Sequence, residues 1–436
     1  MELEVRTMRR VTLRLLPFLI LCYFVAFLDR VNLGYAALTM NKELGISATV
    51  FGQAAGIFFL SYFLFEVPSN LALEKFGARR WIARIMLSWG VVSGAMAFVS
   101  GETSFLVVRF LLGAAEAGFF PGIIFYLTLW FPSAYRGRIA GYFMAAIPLS
   151  AVLGAPLSAW ILGFDGLFGL SGWKLMFILE ALPAVILSVM VLYWLTDRPA
   201  EATWLGDDER RWLATRLADE EGQRVTVRQY SVGQALLNPK VLALSLVYFG
   251  NVACLYGTGF FLPQIVKQFG LSNFDTILVS AIPAVVGVFA SIYWGYRSDA
   301  TGERKGHLLV ALALASLGTA ASTMLPSPTM KMVALSVAAF GIYGALPVFW
   351  TLPTAFLSGA AAAGGIAVIN ALGNLSGYYG PSIVGYLKDR TGNFENGLLA
   401  LAAAGAVAFV IVLMLRHDRA LERVPEERAA GGRAAE

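Results

Sequence analysis

Histidine and cysteine are almost missing from this chain, with two of each in 436 residues. Cys22 and Cys254 each lie inside an apolar run, with no metal-ligand spacing and no partner for a disulfide framework. His307 and His417 stand at the ends of such runs, with no nucleophile motif or paired-carboxylate metal motif nearby, so an enzyme, a metal and a cofactor are all disfavoured. Charge is scarce too: 14% of residues are Asp, Glu, Lys or Arg, against roughly 25% in a soluble chain. That shortage excludes a water-soluble domain, because there is too little polar surface to cover a fold of this length.

What fills the chain instead is apolar: 58% of residues are hydrophobic and the mean hydropathy is +0.68. Runs of about 20 apolar residues recur end to end, each long enough for a hydrocarbon layer of ~30 Å. They fall near 14–38, 50–73, 81–100, 104–130, 138–162 and 175–196, then near 240–265, 276–297, 307–326, 331–356, 365–387 and 396–415. The expected fold is therefore all-α and integral to the membrane, with about twelve transmembrane helices. The domain reading is a six-helix bundle over 1–196, a charged linker over 197–239, a second bundle over 240–417 and a disordered tail over 418–436. The net charge of +5 resides in short Lys and Arg clusters between the runs, which argues for the positive-inside bias and against nucleic acid. Those clusters are the N-terminal arm (Arg6, Arg9, Arg10, Arg14), the turn from Lys75 to Arg84, Arg136 with Arg138, the linker, and Arg304 with Lys305. They put both termini and the linker in the cytoplasm of a plasma-membrane protein. Two features run against the majority: the turn at 358–365 has no basic residue, and Lys388 and Arg390 fall on the outer side.

An internal repeat organises the whole. One offset of 225 residues relates Tyr23-Phe24 to Tyr248-Phe249, Gly77 to Gly302 and Pro156 to Pro381. The same offset sets the turn Glu74, Gly77, Arg79, Arg80 over Asp299, Gly302, Arg304, Lys305. Glycine permits a tight reversal there and the acid can bond helix ends or the basic residues, so these eight read as gating corners. Two parallel six-helix halves facing a central cavity are the physical reading of such a repeat.

Inside the spans four ionisable residues stand out, all in the first half: Asp29, Arg30, Arg109 and Glu116. Each costs ~2.5 to 3.5 kcal/mol at a helix centre, so each needs a partner, water or a substrate. Arg109 and Glu116, seven apart, share a helix face. Two readings stay open: an ion-pair network that locks helices together, or proton sites on the carboxylates combined with permanent anion sites on the guanidinium groups. Tyr62, Asn251, Asn370 and Asn374 offer hydrogen bonds either to a substrate or to neighbouring helices. Phe27, Tyr62, Phe120 and Trp350 either line an aromatic pocket or pack between helices. Trp130, Trp173, Trp194 and Trp294, near span ends, are expected as interfacial anchors, and Gly90 with Gly94 and Gly137 with Gly141 as close helix contacts.

The doubled turn, with Phe27-Leu28-Asp29-Arg30-Val31-Asn32, Phe65-Glu66-Val67-Pro68-Ser69-Asn70, the run from Arg109 to Gly118, Gly373-Asn374-Leu375 and Gly380-Pro381, resembles the major facilitator superfamily and within it the anion:cation symporters, the tartrate, phthalate and hydroxyphenylacetate transporters among them. The likeness spans roughly residues 10–416. It implies a proton-coupled symporter that takes up a small organic anion by alternating access, a monomer in the bacterial inner membrane whose partners are the anion, protons and lipid. It implies that Asp29 and Glu116 titrate, that Arg30 and Arg109 meet a carboxylate, and that Tyr62 and Asn374 lie at the cavity. Glu74 and Asn70 depart from the family's usual Asp and Gly, and the turn after the tenth span lacks its usual charge. An exporter working by proton antiport is the rival reading.

Overall fold

The computed structural model describes residues 2–132, 135, 139, 142–144, 146–224, 238–356 and 360–415. The expected tail at 418–436, Arg136, Arg138, Gly137 and Gly141 lie outside the described residues, as do the side chains of Glu74 and Asp299.

Sixteen α-helices, among the described residues, account for nearly all of the fold. They are α1 (Glu2–Leu44), α2 (Ala48–Phe76), α3 (Ala78–Ala95), α4 (Glu102–Glu116), α5 (Phe119–Thr128), α6 (Ala146–Leu162), α7 (Gly172–Trp194) and α8 (Asp207–Arg224). Then follow α9 (Pro239–Lys267), α10 (Asn273–Ser280), α11 (Ile282–Thr301), α12 (Lys305–Met324), α13 (Pro328–Phe356), α14 (Ala360–Asn374), α15 (Ser376–Thr391) and α16 (Glu395–Met414). Among the described residues eleven segments are long and apolar enough to cross a membrane. The remaining expected span, the eleventh in chain order at 365–387, is helical as well, formed by α14 and α15 with Leu375 between them. The chain is all-α and membrane-spanning, as the apolar runs require.

The chain divides into two compact units, Met1–Thr226 with Leu262–Ala281, and Val227–Phe261 with Ile282–Glu436. In the first, α1 packs on α6 and α7, α2 on α4, and α3 on α7, with α10 against α6. A single stripe of α1 does the packing: Val11, Leu15, Leu19, Cys22, Ala26, Leu33, Ala36 and Met40 are completely buried and recur at helical spacing. Asp29 lies on the same stripe and is buried with it. In the second unit α13 packs on α11 and α12, and α12 on α16.

Small residues set the closest approaches, since helices in lipid associate by backbone proximity rather than by squeezing out water. Gly90 lies against Ala184 and Val185, and Gly94 against Ala181, as their spacing suggests. Gly113 of α4 is tighter: a methyl group there would come within 2.1 Å of both the Phe58 carbonyl oxygen and Ser61 Oγ on α2. Backbone cannot step aside as a side chain can. Gly113→Ala should therefore destabilise the first unit by about 1 to 3 kcal/mol, an overpacking cost, and lower the melting temperature of the purified protein. Unchanged melting would show that α2 and α4 separate freely.

The tryptophans correct one expectation. Trp194 is partly exposed and takes Arg14 over its ring at 3.8 Å, in keeping with an anchor at the membrane surface. Trp294 is half-buried and donates to the His307 carbonyl at 2.9 Å. Trp130 and Trp173 are fully buried, the first stacked on Trp204 at 5.4 Å and the second donating to Glu43 at 2.6 Å. They pack protein against protein instead of facing headgroups.

Candidate functional site

The site takes its charges from two helices, α1 and α4, and their neutral partners from α2 and α3. On α1, Asp29 points at α3, where the Trp89 ring N–H donates to its Oδ2 at 2.6 Å. Arg30, the next residue, turns about 100° round the helix and meets Glu116 in an ion pair. The guanidinium is also bracketed by rings, with its carbon 4.6 Å from the centre of Phe27, 5.2 Å from Phe58 and 5.8 Å from Tyr62. Its side chain keeps 11% of its surface exposed, whereas Glu116 keeps 1%.

Glu116 is the last residue of α4, and the helix breaks directly after it. Gly118 has φ +86°, a left-handed conformation that suits glycine, and a methyl group there would collide with Ser69 at 2.4 Å. The fourth span is thus two helices, α4 and α5, joined at the charge. Broken helices in a membrane are tolerated where the freed backbone is buried in protein or lines a cavity.

Arg109 stands differently from Arg30. It is buried on the same stripe of α4 as Glu116, and its donors go to α2 backbone: Nε to the Ala54 carbonyl at 3.0 Å and a terminal nitrogen to that of Ala55 at 3.3 Å. Phe58 covers it, ring centre 5.0 Å away. Tyr62, buried on α2, completes this aromatic wall, with Phe58 at 6.0 Å. Nearby, Tyr23 stacks on Phe143 at 4.3 Å and on Phe120 at 5.6 Å.

Sequence reasoning missed three participants. Trp89 gave a signal, being in the middle of a span while most other tryptophans sit at span ends. Glu180 is fully buried on α7, its Oε2 accepting from Asn32 at 2.9 Å and its Oε1 from Ser158 at 2.7 Å. Standing six residues after Lys174, it reads in sequence like the charged edge of a span. Asp197 was the third: its Oδ1 accepts the Arg79 backbone N–H at 2.9 Å, and its Oδ2 lies 3.5 Å from the guanidinium.

The corner glycines hold positive φ in both copies, +87° at Gly77 and +68° at Gly302. Arg80 is exposed. In the second copy Arg304 donates to Ser298 at 3.2 Å, and Lys305 donates to the carbonyls of Leu413 and Leu415, tying α12 to the end of α16. Glu303 caps α12: burial pushes its carboxyl up, but the N–H groups of Gly306 and His307 and the His307 ring hold it below the usual range. The linker helix α8 is fastened to the N-terminal arm by Glu209, which bonds Arg6 at 2.9 Å and Arg10 at 2.8 Å. Burial raises that carboxyl, and the Gly206 N–H with the two arginines outweighs it, keeping it ionised.

In the second unit Asn251 is buried and its amide donates to the Ile342 carbonyl at 3.1 Å, joining α9 to α13. Tyr248 stacks on Phe349 and meets Trp350 edge-on, each at 5.0 Å. Asn370 and Asn374 are half-buried on α14, Asn374 at its end.

A buried ion pair at a broken helix, set among rings inside a membrane-spanning helical chain, suits a carrier. Comparison agrees. The family model described as Major Facilitator Superfamily matches residues 19–381 and again 244–435, and the chain belongs to that family of membrane transporters. A protein of Agrobacterium vitis named "Putative tartrate transporter" is 52% identical over 417 residues, covering 96% of this chain and 93% of its own. The "Quinolone resistance transporter" of Acinetobacter baumannii is 42% identical over 403 residues, 92% of this chain and 93% of its own. Among solved structures, the partially occluded inward open xylose transporter XylE from E. coli superposes with a TM-score of 0.77 at 13% identity, over 94% of this chain and 98% of that one, a likeness of fold alone.

Proposed function

We propose that this chain is a proton-coupled symporter that takes up a small organic anion carrying at least one carboxylate, such as tartrate, phthalate or hydroxyphenylacetate. The observation that carries the reading is the Arg30–Glu116 pair at the break between α4 and α5. A guanidinium cannot lose its proton, whereas a desolvated carboxylate can be neutralised. When Glu116 takes a proton, the anion paired with Arg30 is neutralised and the guanidinium can turn to the carboxylate of a substrate. Proton and anion then bind together because each removes the other's electrostatic cost. Asp29, on the same helix turn, is the second proton site. Arg109 is the second cationic group, and its bonds to Ala54 and Ala55 hold α2 in place behind the rings. Tyr62, Asn251, Asn370 and Asn374 supply hydrogen bonds for hydroxyl or carboxylate oxygens, and the two glycine corners, with Glu74 and Asp299, act as gates. The tartrate name carried by the 52% identical relative favours the same substrate class.

The test is counterflow in proteoliposomes against a panel of carboxylates, neutral sugars and organic cations. Counterflow of a carboxylate, together with its uphill net uptake under an inward proton gradient, supports the reading, and exchange of a neutral or cationic compound with every carboxylate silent overturns it. Export by proton antiport is the second reading, favoured by the name of the quinolone relative. Accumulation in everted vesicles on acidifying their interior, in place of right-side-out uptake, would establish it.

Orientation is part of the proposal: residues 1–196 and 240–417 as two bundles in the bacterial inner membrane, with the 197–239 linker and both termini inside. Glu209 is buried under Arg6 and Arg10, so it is a poor site for a labelling probe. Asp207, whose side chain is 82% exposed, serves instead. Single cysteines at Asp207 and Met330 should react with an impermeant maleimide from opposite faces of the membrane. Reaction from one face would sink the two-bundle topology.

A further inference from the structure

The Arg30–Glu116 site leaves one buried carboxyl unexplained. Glu180 is 1% exposed, lies within a membrane span, and forms no ion pair among the described residues. Its two oxygens meet only neutral donors, the Asn32 amide of α1 and the Ser158 hydroxyl of α6. Among the described residues α7 packs chiefly on α1, α3, α6 and the short turn Met96–Phe98. From α1 come Asn32 and, one turn away, Asp29; Arg30 on that helix is taken by Glu116. Helix α6 has no ionisable residue at all. Helix α3 carries its arginines in its first two turns, with Arg79 on Asp197 and Arg84 over Trp81. The short turn Met96–Phe98 has none, and Lys174 of α7 itself pairs with Glu43 at 3.5 Å. An ionised carboxylate so placed would be a buried charge without a counter-ion, which proteins avoid by neutralising the group.

The partners fit a neutral acid equally well. A serine hydroxyl donates or accepts, so Ser158 can receive a proton carried on Oε1 as readily as it can donate to the bare carboxylate. Asn32 holds Oε2 in either state, and its own Oδ1 is a buried acceptor with no donor among the described residues. The cluster is thus rich in acceptors and poor in protons. Asp29 adds a second acid one helical turn, about 4.5 Å of rise, from Asn32, so two negative charges there would repel.

We propose that Glu180, held by Asn32 and Ser158, is a proton-binding site in its own right, and that it and Asp29 titrate as a coupled pair across α1. Glu180 joins α1, α6 and α7 through Asn32 and Ser158, so a change in its charge is felt on the helix that bears Arg30. The consequence for transport rests on the symport reading above, but occupancy itself does not and can be measured without substrate.

The experiment is infrared difference spectroscopy of the purified full-length protein in lipid nanodiscs, titrated with acid and base. Wild type should show a carboxylic-acid carbonyl band at neutral pH that is lost in Glu180→Gln, a variant expected to fold because its amide donates and accepts as the protonated acid does. Ser158→Ala should shift the frequency of that band, because a hydrogen-bonding partner of Oε1 has gone. Asp29→Asn should move the pH at which the band disappears, as coupling requires. A band unchanged in Glu180→Gln means that Glu180 is ionised and overturns the proposal. If that variant does not fold, an unshifted band in Ser158→Ala overturns it instead. Failure of proton-driven uptake with the band behaving as expected would count against symport and leave the proton site standing.

Discussion

Arg30→Lys should weaken the apparent affinity for the transported anion by roughly 10 to 150-fold, the equivalent of losing a charge-assisted contact of about 1.5 to 3 kcal/mol. The positive charge survives in that variant, but the planar fork does not. An arginine presents two parallel N–H groups to a carboxylate, and its flat face lies against rings such as Phe27 and Phe58; an ammonium group offers neither. Arg109→Lys makes the contrast. Its nitrogens are engaged with the carbonyls of Ala54 and Ala55, so its replacement should lower protein yield and thermal stability before it touches affinity. Binding measured on purified protein, with melting curves beside it, separates the two arginines. Equal affinity losses in both variants, with melting unchanged, would assign both guanidinium groups to the substrate. An Arg30→Lys protein that binds as well as wild type would remove Arg30 from the site.

Much of this architecture was legible in the chain, and the reasons are physical. Lipid demands long apolar helices with satisfied backbones, so spans announce themselves, and the repeat offset found both glycine corners before their positive φ was known. The rule that ionisable residues are costly in spans located Asp29, Arg30, Arg109 and Glu116. It could not say who pairs with whom, because that depends on which stripe of each helix faces inward. Asp29 proved to lie on the packed stripe of α1 and Arg30 just off it, a difference of one residue that separates a buried acid from a partly exposed base. Nor did it reveal the helix breaks. Gly118 reads as one glycine among 44 until its φ and its contact with Ser69 are seen. Glu180 was lost to its position near a span end.

The repeat also shows where the chemistry was added. At the same offset Asp29 falls on Cys254, Arg109 on Ala334, Glu116 on Gly341 and Glu180 on Gly405. All four second-half positions are small and uncharged. A methyl group on Gly405 would lie 2.5 Å from Ser316 Oγ, and Cys254 Sγ is engaged by the Leu401 carbonyl at 3.1 Å. The second half therefore keeps the packing of these positions and none of their charge, which is why the coupling prediction concerns the first half alone.

Asp29→Asn and Glu116→Gln should abolish accumulation driven by a proton gradient while exchange of labelled for unlabelled substrate partly survives. Exchange needs no net release of protons, so a carrier locked in its neutral form can still shuttle loaded. Glutamine at Glu116 keeps an oxygen for Arg30 to bond but removes the charge, mimicking the protonated state permanently. Asparagine at Asp29 keeps an acceptor for the Trp89 N–H, and so preserves the contact between α1 and α3. The two amides thus alter charge with little change of shape, and folding defects can be checked by melting. Glu116→Ala is the harsher control, because it leaves Arg30 facing a cavity where its anion stood; removal of one partner from a buried pair costs about 3 to 5 kcal/mol. In proteoliposomes with an imposed pH gradient, wild type should concentrate substrate several-fold above equilibrium, while each amide variant should stop at equal concentrations inside and outside. Uphill accumulation in both variants would exclude these carboxyls as the coupling sites, whatever the substrate proves to be.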